Sequence, residues 1–251
     1  MPTIGTEEPV AREVVAAIHA GDLAALRRLL DEHPGLAGAR LGDPPEGCDP
    51  GMTRSLLHVV TDWPGHYPNG ADVVALLVEA GADVNARFTG PHTETPLHWA
   101  ASSDDVEVLD ALLDAGADIE APGAVIAGGT PLTDAVAFGQ WQAARRLVER
   151  GANTPFREAA ALGLTEHVER HFTADDAPTP DDTTQALWYA CHGGQQPVAA
   201  YLLERGAELN WVSTWDGLTP LDAARRSGAD EVVGWLRGRG GKPAAELAAE
   251  D

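Results

Sequence analysis

One short pattern recurs from end to end of this chain. Thr95-Pro96-Leu97-His98-Trp99-Ala100-Ala101 is followed, after an apolar run, by Leu112-Leu113-Asp114-Ala115-Gly116-Ala117-Asp118. Arg54-Ser55-Leu56-Leu57-His58 leads in the same way to Leu76-Leu77-Val78-Glu79-Ala80-Gly81-Ala82-Asp83-Val84-Asn85, and Gly129-Thr130-Pro131-Leu132-Thr133 to Leu147-Val148-Glu149-Arg150-Gly151-Ala152. Gln185-Ala186-Leu187-Trp188-Tyr189-Ala190 leads to Leu202-Leu203-Glu204-Arg205-Gly206-Ala207-Glu208-Leu209-Asn210, and Leu218-Thr219-Pro220-Leu221-Asp222-Ala223-Ala224 opens a last copy. The copies lie about 33 residues apart, and no unit of that length can enclose its own apolar face, so neighbours must stack into one elongated core.

The residue types within a copy follow from helix physics. Thr caps a first helix, and Pro fits its first turn, where no amide hydrogen bond is lost. Leu97, Ala100 and Ala101 form the packed side of that helix, with alanines where a neighbour must approach closely. Val106, Val108, Leu109, Leu112 and Leu113 give a second helix its apolar face, and Gly116 stands where a left-handed C-terminal residue is wanted. Asp118-Ile119-Glu120 then leads out into a hairpin-like finger.

These units resemble ankyrin repeats. The resemblance covers about nine tenths of the chain and implies an all-α repeat fold, an ankyrin-repeat solenoid of about seven helix-turn-helix units with hairpin-like fingers. The first unit, 14–40, lacks a Thr-Pro opening and reads as an atypical N-terminal cap. The second, 55–85, carries about five extra residues between its helices, in 62–70. The third is 95–120. The fourth, from Thr130, ends in Gly151-Ala152-Asn153, and Thr154-Pro155-Phe156-Arg157-Glu158 opens a degenerate fifth with no room for a normal finger. The polar stretch from Thr173 to Thr184 reads as an exposed loop before the sixth and seventh units. One ankyrin domain over 1–239 is expected, with a flexible tail over 240–251.

Seventeen Lys and Arg against 39 Asp and Glu give a formal charge of −22, which disfavours nucleic acid and anionic membranes as partners and suits basic ones. Cys48 and Cys191 make no disulfide framework and no cysteine-rich metal site. The N-terminus lacks a secretory pattern and no apolar run reaches membrane length, so a cytoplasmic protein is expected, and a monomer.

Ankyrin repeats generally mediate protein–protein contacts without a cofactor, through the concave face formed by fingers and first helices. The resemblance implies that role here: a binding module with no cofactor and no metal. Departures from the pattern on that face mark the candidate site. Two residues after the opening Leu or Phe the series reads Val59, Trp99, Asp134, Glu158, Tyr189 and Ala223, and two successive carboxylates are not ordinary there. A turn later, Phe138 falls beside them and Trp63 near one end. Carboxylates among rings suit a ligand with an apolar body and a cationic or hydrogen-bond-donating group, the alternative reading being a small-molecule or even acid–base catalytic groove. A structural alternative pairs Asp134 and Glu158 with Arg145, Arg146 or Arg157.

Two further clusters depart from the pattern. Asp62, Trp63, His66 and Tyr67 occupy the insertion of the second unit, and His92 and Glu94 an enlarged finger before Thr95. His58 and His98 fill the family's usual histidine place and read as structural. In the sixth unit Trp188 replaces that histidine, with Tyr189 and His192 on the same helix and Trp211 and Trp215 in the finger beyond. Rigid aromatic residues in a finger are recognition anchors. No nucleophilic triad or phosphate-cradling loop can be assembled, so no catalytic residue is assigned.

Overall fold

The computed structural model describes residues 3–42, 51–173 and 177–249; Cys48 lies outside them. The chain divides into two compact units, 1–152 and 153–251. The first contains a short strand β1 (Thr3–Ile4), α1 (Pro9–Ala20), α2 (Leu23–Glu32), a 3-10 turn at Leu36–Gly38, β2 (Arg40–Gly42) and β3 (Thr53–Ser55). Helices α3 (Leu56–Val60), α4 (Gly70–Glu79), α5 (Pro96–Ser102), α6 (Val106–Asp114), α7 (Pro131–Ala137) and α8 (Trp141–Glu149) complete it. The second contains α9 (Phe156–Leu162), α10 (Thr165–Thr173), α11 (Pro180–His192), α12 (Gln196–Glu204), α13 (Pro220–Arg226), α14 (Asp230–Arg237) and α15 (Ala244–Leu247). Helices α1 to α14 thus form seven consecutive pairs, the ankyrin-repeat architecture.

The recurring motif builds each pair as its chemistry dictates. At the start of α5 the Thr95 backbone N–H donates to His98 Nδ1 at 3.1 Å, and the Thr95 hydroxyl lies 2.9 Å from the same nitrogen. Because Nδ1 accepts, Nε2 carries the proton, and it points to the Gly129 carbonyl at 3.4 Å. His58 repeats the arrangement, bridging Ser55 to the Glu94 carbonyl at 3.1 Å. Each histidine ties the first turn of a helix to the finger that follows, as the structural reading expects. At the other end, Gly116 adopts φ 91°, so that the Ala117 N–H reaches back to the Leu112 carbonyl and closes α6.

Leu97, Leu109, Leu112, Leu132 and Leu147 are wholly buried in the first unit. Each such side chain contributes about 1.5–3 kcal/mol by leaving water. Ala100, Ala101, Ala135, Ala143 and Ala144 are equally buried and let the helices approach. The small sheet, β1 parallel to β2 and β2 antiparallel to β3, carries no alternation that a two- or three-residue strand could show in sequence. Arg40 laces it to the next finger, donating to Thr53 Oγ1 at 2.7 Å and to the Arg87 carbonyl at 2.6 Å.

In the second unit the exposed loop expected from Thr173 to Thr184 is overturned from Pro180 onward, while 174–176 lie outside the described residues. Helix α11 begins at Pro180, and Thr183 and Thr184 are buried. Thr179 is its N-cap: its hydroxyl accepts the Asp182 N–H, and the Asp182 carboxylate accepts from the Thr179 backbone and hydroxyl. The Asp/Thr run that reads as loop is therefore a capping box behind a Thr-Pro opening. Gly193, at the end of α11, meets the Ala161 backbone so closely that any Cβ would overlap its carbonyl oxygen. Past α14, Lys242 N–H donates to Asn210 Oδ1 at 2.8 Å and Ala244 N–H to Asp222 at 2.7 Å, which bring α15 against the last repeat.

Candidate functional site

The insertion between α3 and α4 is held by its own polar residues. The His66 backbone N–H donates to Asp105 Oδ2 at 2.7 Å, and its ring Nε2 sits 2.9 Å from the Ser103 carbonyl. Asn69 donates to the Gly21 carbonyl, and Tyr67 stacks on His19 with centroids 4.2 Å apart. His66 and Tyr67 thus position the loop. Asp62 lies at the loop's start in a close ion pair with Arg54, 2.7 Å; burial pushes its carboxyl above the ordinary value against the pull of that guanidinium.

The finger before α5 closes where the Phe88 N–H donates to the Glu94 carbonyl at 2.7 Å. His92 stacks on Phe88 at 4.6 Å, and Phe88 in turn packs on Trp99 at 5.5 Å. The finger turns the Glu94 side chain inward, leaving it 5% exposed. Glu94 Oε2 accepts the Trp99 indole N–H at 2.8 Å, and Oε1 accepts the Val125 backbone N–H at 3.0 Å. His92 Nδ1 stands 2.8 Å from Oε2, within ion-pair reach but not aligned for a hydrogen bond.

Asp134, on α7, is wholly buried and is paired with Glu94 rather than with arginine. Arg146 is taken up by Asp110 and Glu149, and Arg145 donates to the Trp141 carbonyl. No N–H or O–H of the described residues donates to either Asp134 oxygen within hydrogen-bond geometry. Two carboxylates facing each other have no donor between them, so the pair is satisfied only when one is protonated. Burial, then the hydrogen bond and charge of Glu94, raise the Asp134 pKa, with the Ile126 amide pulling the other way. Glu94 already receives two N–H donors, whereas neither Asp134 oxygen receives one. The proton therefore belongs on Asp134, which donates to Glu94.

In front of this pair lies a half-open cavity of about 280 Å³ lined by Thr61, Asp62, Trp63, His92, Glu94, Trp99, Ser102, Ser103, Val125 and Phe138. Trp63 is 85% exposed, Val125 51% and Phe138 49%, so three of the exposed large apolar side chains of the described chain converge on one cavity. The structure thus brings together Asp62, Trp63, His92, Glu94, Trp99 and Phe138, with Asp134 beside Glu94.

Sequence reasoning missed the Glu94–Asp134 pairing and the contribution of Val125. A signal existed: the residue before each Ser or Thr cap is Arg54, Glu94, Gly129, Pro178 or Leu218, and only Glu94 places a carboxylate there. Val125 and Ile126 form an apolar pair in a glycine-bounded finger, whose Gly123 and Ala124 N–H groups bond to the carbonyls of Gly128 and Gly129.

In the second unit Glu158 is buried on α9, and its charge, after burial, raises the Tyr189 hydroxyl pKa. Trp188 packs edge-on against Tyr189 at 5.3 Å and Trp215 at 5.2 Å, while Trp211 lies 5.3 Å from Trp215. Arg226 lies over the Trp188 ring at 5.2 Å and pairs with Asp216. His192 Nδ1 is 2.7 Å from the Ser227 hydroxyl. The aromatic group stiffens the finger that carries Trp211 and Trp215, leaving Trp215 and Val212 exposed. Cys191 is buried beside it, and burial pushes its thiol far up, away from reactivity. Among the described residues no three His, Cys, Asp or Glu side chains are arranged to hold a metal ion, and no helix is long and apolar enough to cross a membrane.

Comparison with known families agrees with the repeat geometry. The family described as "Ankyrin repeats (3 copies)" matches residues 14–123, 67–158 and 156–246, and the chain belongs to it. Over 204 residues the chain is 28% identical to an ankyrin repeat and KH domain-containing protein of Caenorhabditis briggsae, covering 78% of this chain and 7% of that one. It is 34% identical over 113 residues to the palmitoyltransferase AKR1 of Kluyveromyces lactis, covering 45% of this chain and 13% of that one. Against the human ankyrin repeat and KH domain-containing protein 1 it is 39% identical over 92 residues, 36% of this chain and 4% of that protein. The chain spans only a small part of the length of these relatives, and the likeness is that of shared repeats. Ankyrin repeats are in general protein–protein interaction modules.

Proposed function

We propose that this chain is a binding module that recognises a protein partner through the finger-bearing side of its first unit, centred on the cavity beside Glu94. The observation that carries this reading is the convergence of exposed Trp63, Val125 and Phe138 on a cavity with a buried carboxylate in its wall. Exposed aromatic side chains around a concave site supply anchors for a partner, and the charge of −22 favours one with basic groups. The exposed Trp215 and Val212 of the second unit offer a further contact of the same kind. A small ligand seated in the cavity is the second reading, favoured by the buried Glu94 carboxylate among the rings of its wall.

The test compares the wild-type chain with a Trp63→Ala/Phe138→Ala variant, both immobilised and exposed to an extract of the cells that make the protein. Both side chains are exposed, so melting temperatures should agree. Proteins retained by the wild type and lost by the variant are the expected result. Retention unaffected by the variant would move recognition away from this cavity, and a small molecule released from purified wild type alone, seen by native mass spectrometry, would favour the second reading.

A further inference from the structure

We infer that the cavity of the first unit is a site for a single organic cation, an ammonium or guanidinium group, with Glu94 as its counter-ion and the rings of Trp63, Trp99 and Phe138 as its walls. The inference rests on the reading of this cavity as the recognition site and names what it recognises.

The charge count at the cavity wall is the first argument. Asp62 is paired with Arg54 at 2.7 Å, and burial together with the neighbouring Glu94 raises the Asp134 pKa, which keeps that carboxyl neutral. Glu94 is left as the carboxylate without an arginine or lysine partner, His92 being its ion-pair neighbour and charged only when protonated. An anion would be repelled there. A neutral apolar occupant would leave that buried charge without a counter-ion. A divalent metal would need more ligands than the cavity offers, since no three metal-ligating side chains of the described residues are gathered.

Shape and chemistry narrow the choice further. About 280 Å³ lies just below the usual range of ligand pockets, about 300 to 1,000 Å³, so the site suits one side chain or a small amine rather than a nucleotide. Rings of Trp and Phe attract a cation over their faces, and the attraction grows as the cation is desolvated. Trp99 is fixed for that role by its N–H bond to Glu94 and its edge-on packing at 4.8 Å against His58. Trp63 and Phe138 are exposed before binding and free to be covered.

Two sources share this chemistry, a lysine or arginine side chain of a protein and a free small amine. Isothermal titration of the full chain with N-acetyl-lysine methylamide, its neutral counterpart N-acetyl-norleucine methylamide, and tetramethylammonium chloride separates them. Saturable binding of at least one cation, at least tenfold tighter than the neutral probe, is expected. Preference for the lysine derivative identifies a side chain as the source; equal or tighter binding of tetramethylammonium identifies a free cation. Glu94→Gln should weaken cation binding at least tenfold, or about 1.4 kcal/mol. Trp63→Ala, at a solvent-exposed position, should weaken it several-fold with unchanged folding, and serves if the buried Glu94 variant does not fold. No cation binding, equal binding of the neutral probe, or wild-type affinity in every folded variant overturns the inference. If partner capture still depends on Trp63 and Phe138 in that event, the recognition surface stands and only its cation chemistry falls.

Discussion

At position 134 the repeat pattern puts a carboxyl at the place where the preceding unit has Trp99, and both side chains engage Glu94. That coincidence turns an unusual residue into an intelligible one: an indole N–H and a carboxylic O–H are both donors, and a buried carboxylate needs donors. The Asp134 pKa is raised above 3.8, so the stability conferred by its neutral form is full below that value and is lost as pH rises through the raised one. Asp134→Asn should keep a donor toward Glu94 without a proton to lose. Denaturant unfolding at pH 5 and pH 9 should show a variant close to wild type at the lower pH and more stable than wild type at the higher one. Parallel pH dependences for the two proteins would contradict protonation of Asp134. Because Glu94 keeps its charge in this variant, cation binding should survive.

At the scale of elements, the histidines that bridge the capped turns of α3 and α5 to the next finger make those repeats acid-sensitive. Burial lowers the His58 pKa to about 3 and that of His98 to about 4, against 6.5 when exposed. Depressed values mean stability that is complete above pH 6.5 and declines as pH falls toward 4, because the unfolded chain takes up the protons first. The slope is about 1.4 kcal/mol per pH unit for each histidine. Urea unfolding from pH 7 to 4 should show that decline, and His98→Gln should remove one proton's share of it; a slope unchanged by the substitution would mean that His98 titrates alike in both states. The helices themselves were legible because caps and C-terminal glycines act locally. The start of α11 was missed because Asp181-Asp182-Thr183-Thr184 has a loop's composition, whereas one carboxylate placed three residues after Thr179 decides the matter.

For the whole molecule, what the sequence withheld was partnership across distance. Asp62, Trp63, His92 and Glu94 stand out in the insertion and the enlarged finger, and Trp99 and Phe138 fall on the face they border, yet nothing local tells that Glu94 turns inward or that Val125 comes from the next finger to meet it. Such contacts depend on loops folding back over a rigid scaffold. The charge is the opposite case, fully legible and acting over the entire surface. With 39 acidic against 17 basic side chains, and many of the arginines already paired as Arg146 and Arg150 are with Asp110, the excess carboxylates repel one another in the folded state. Salt shortens the range of that repulsion from about 30 Å at 0.01 M to well under 10 Å at 0.5 M. Raising NaCl between those concentrations at pH 7.5 should therefore raise the melting temperature by several degrees, since each kcal/mol shifts it by about 2–4 °C in a protein of this size. The gain should shrink near the isoelectric point, about pH 4.6, where the net charge that drives it is gone. A melting temperature that falls with salt at pH 7.5 would show instead that the surface ion pairs outweigh the net repulsion.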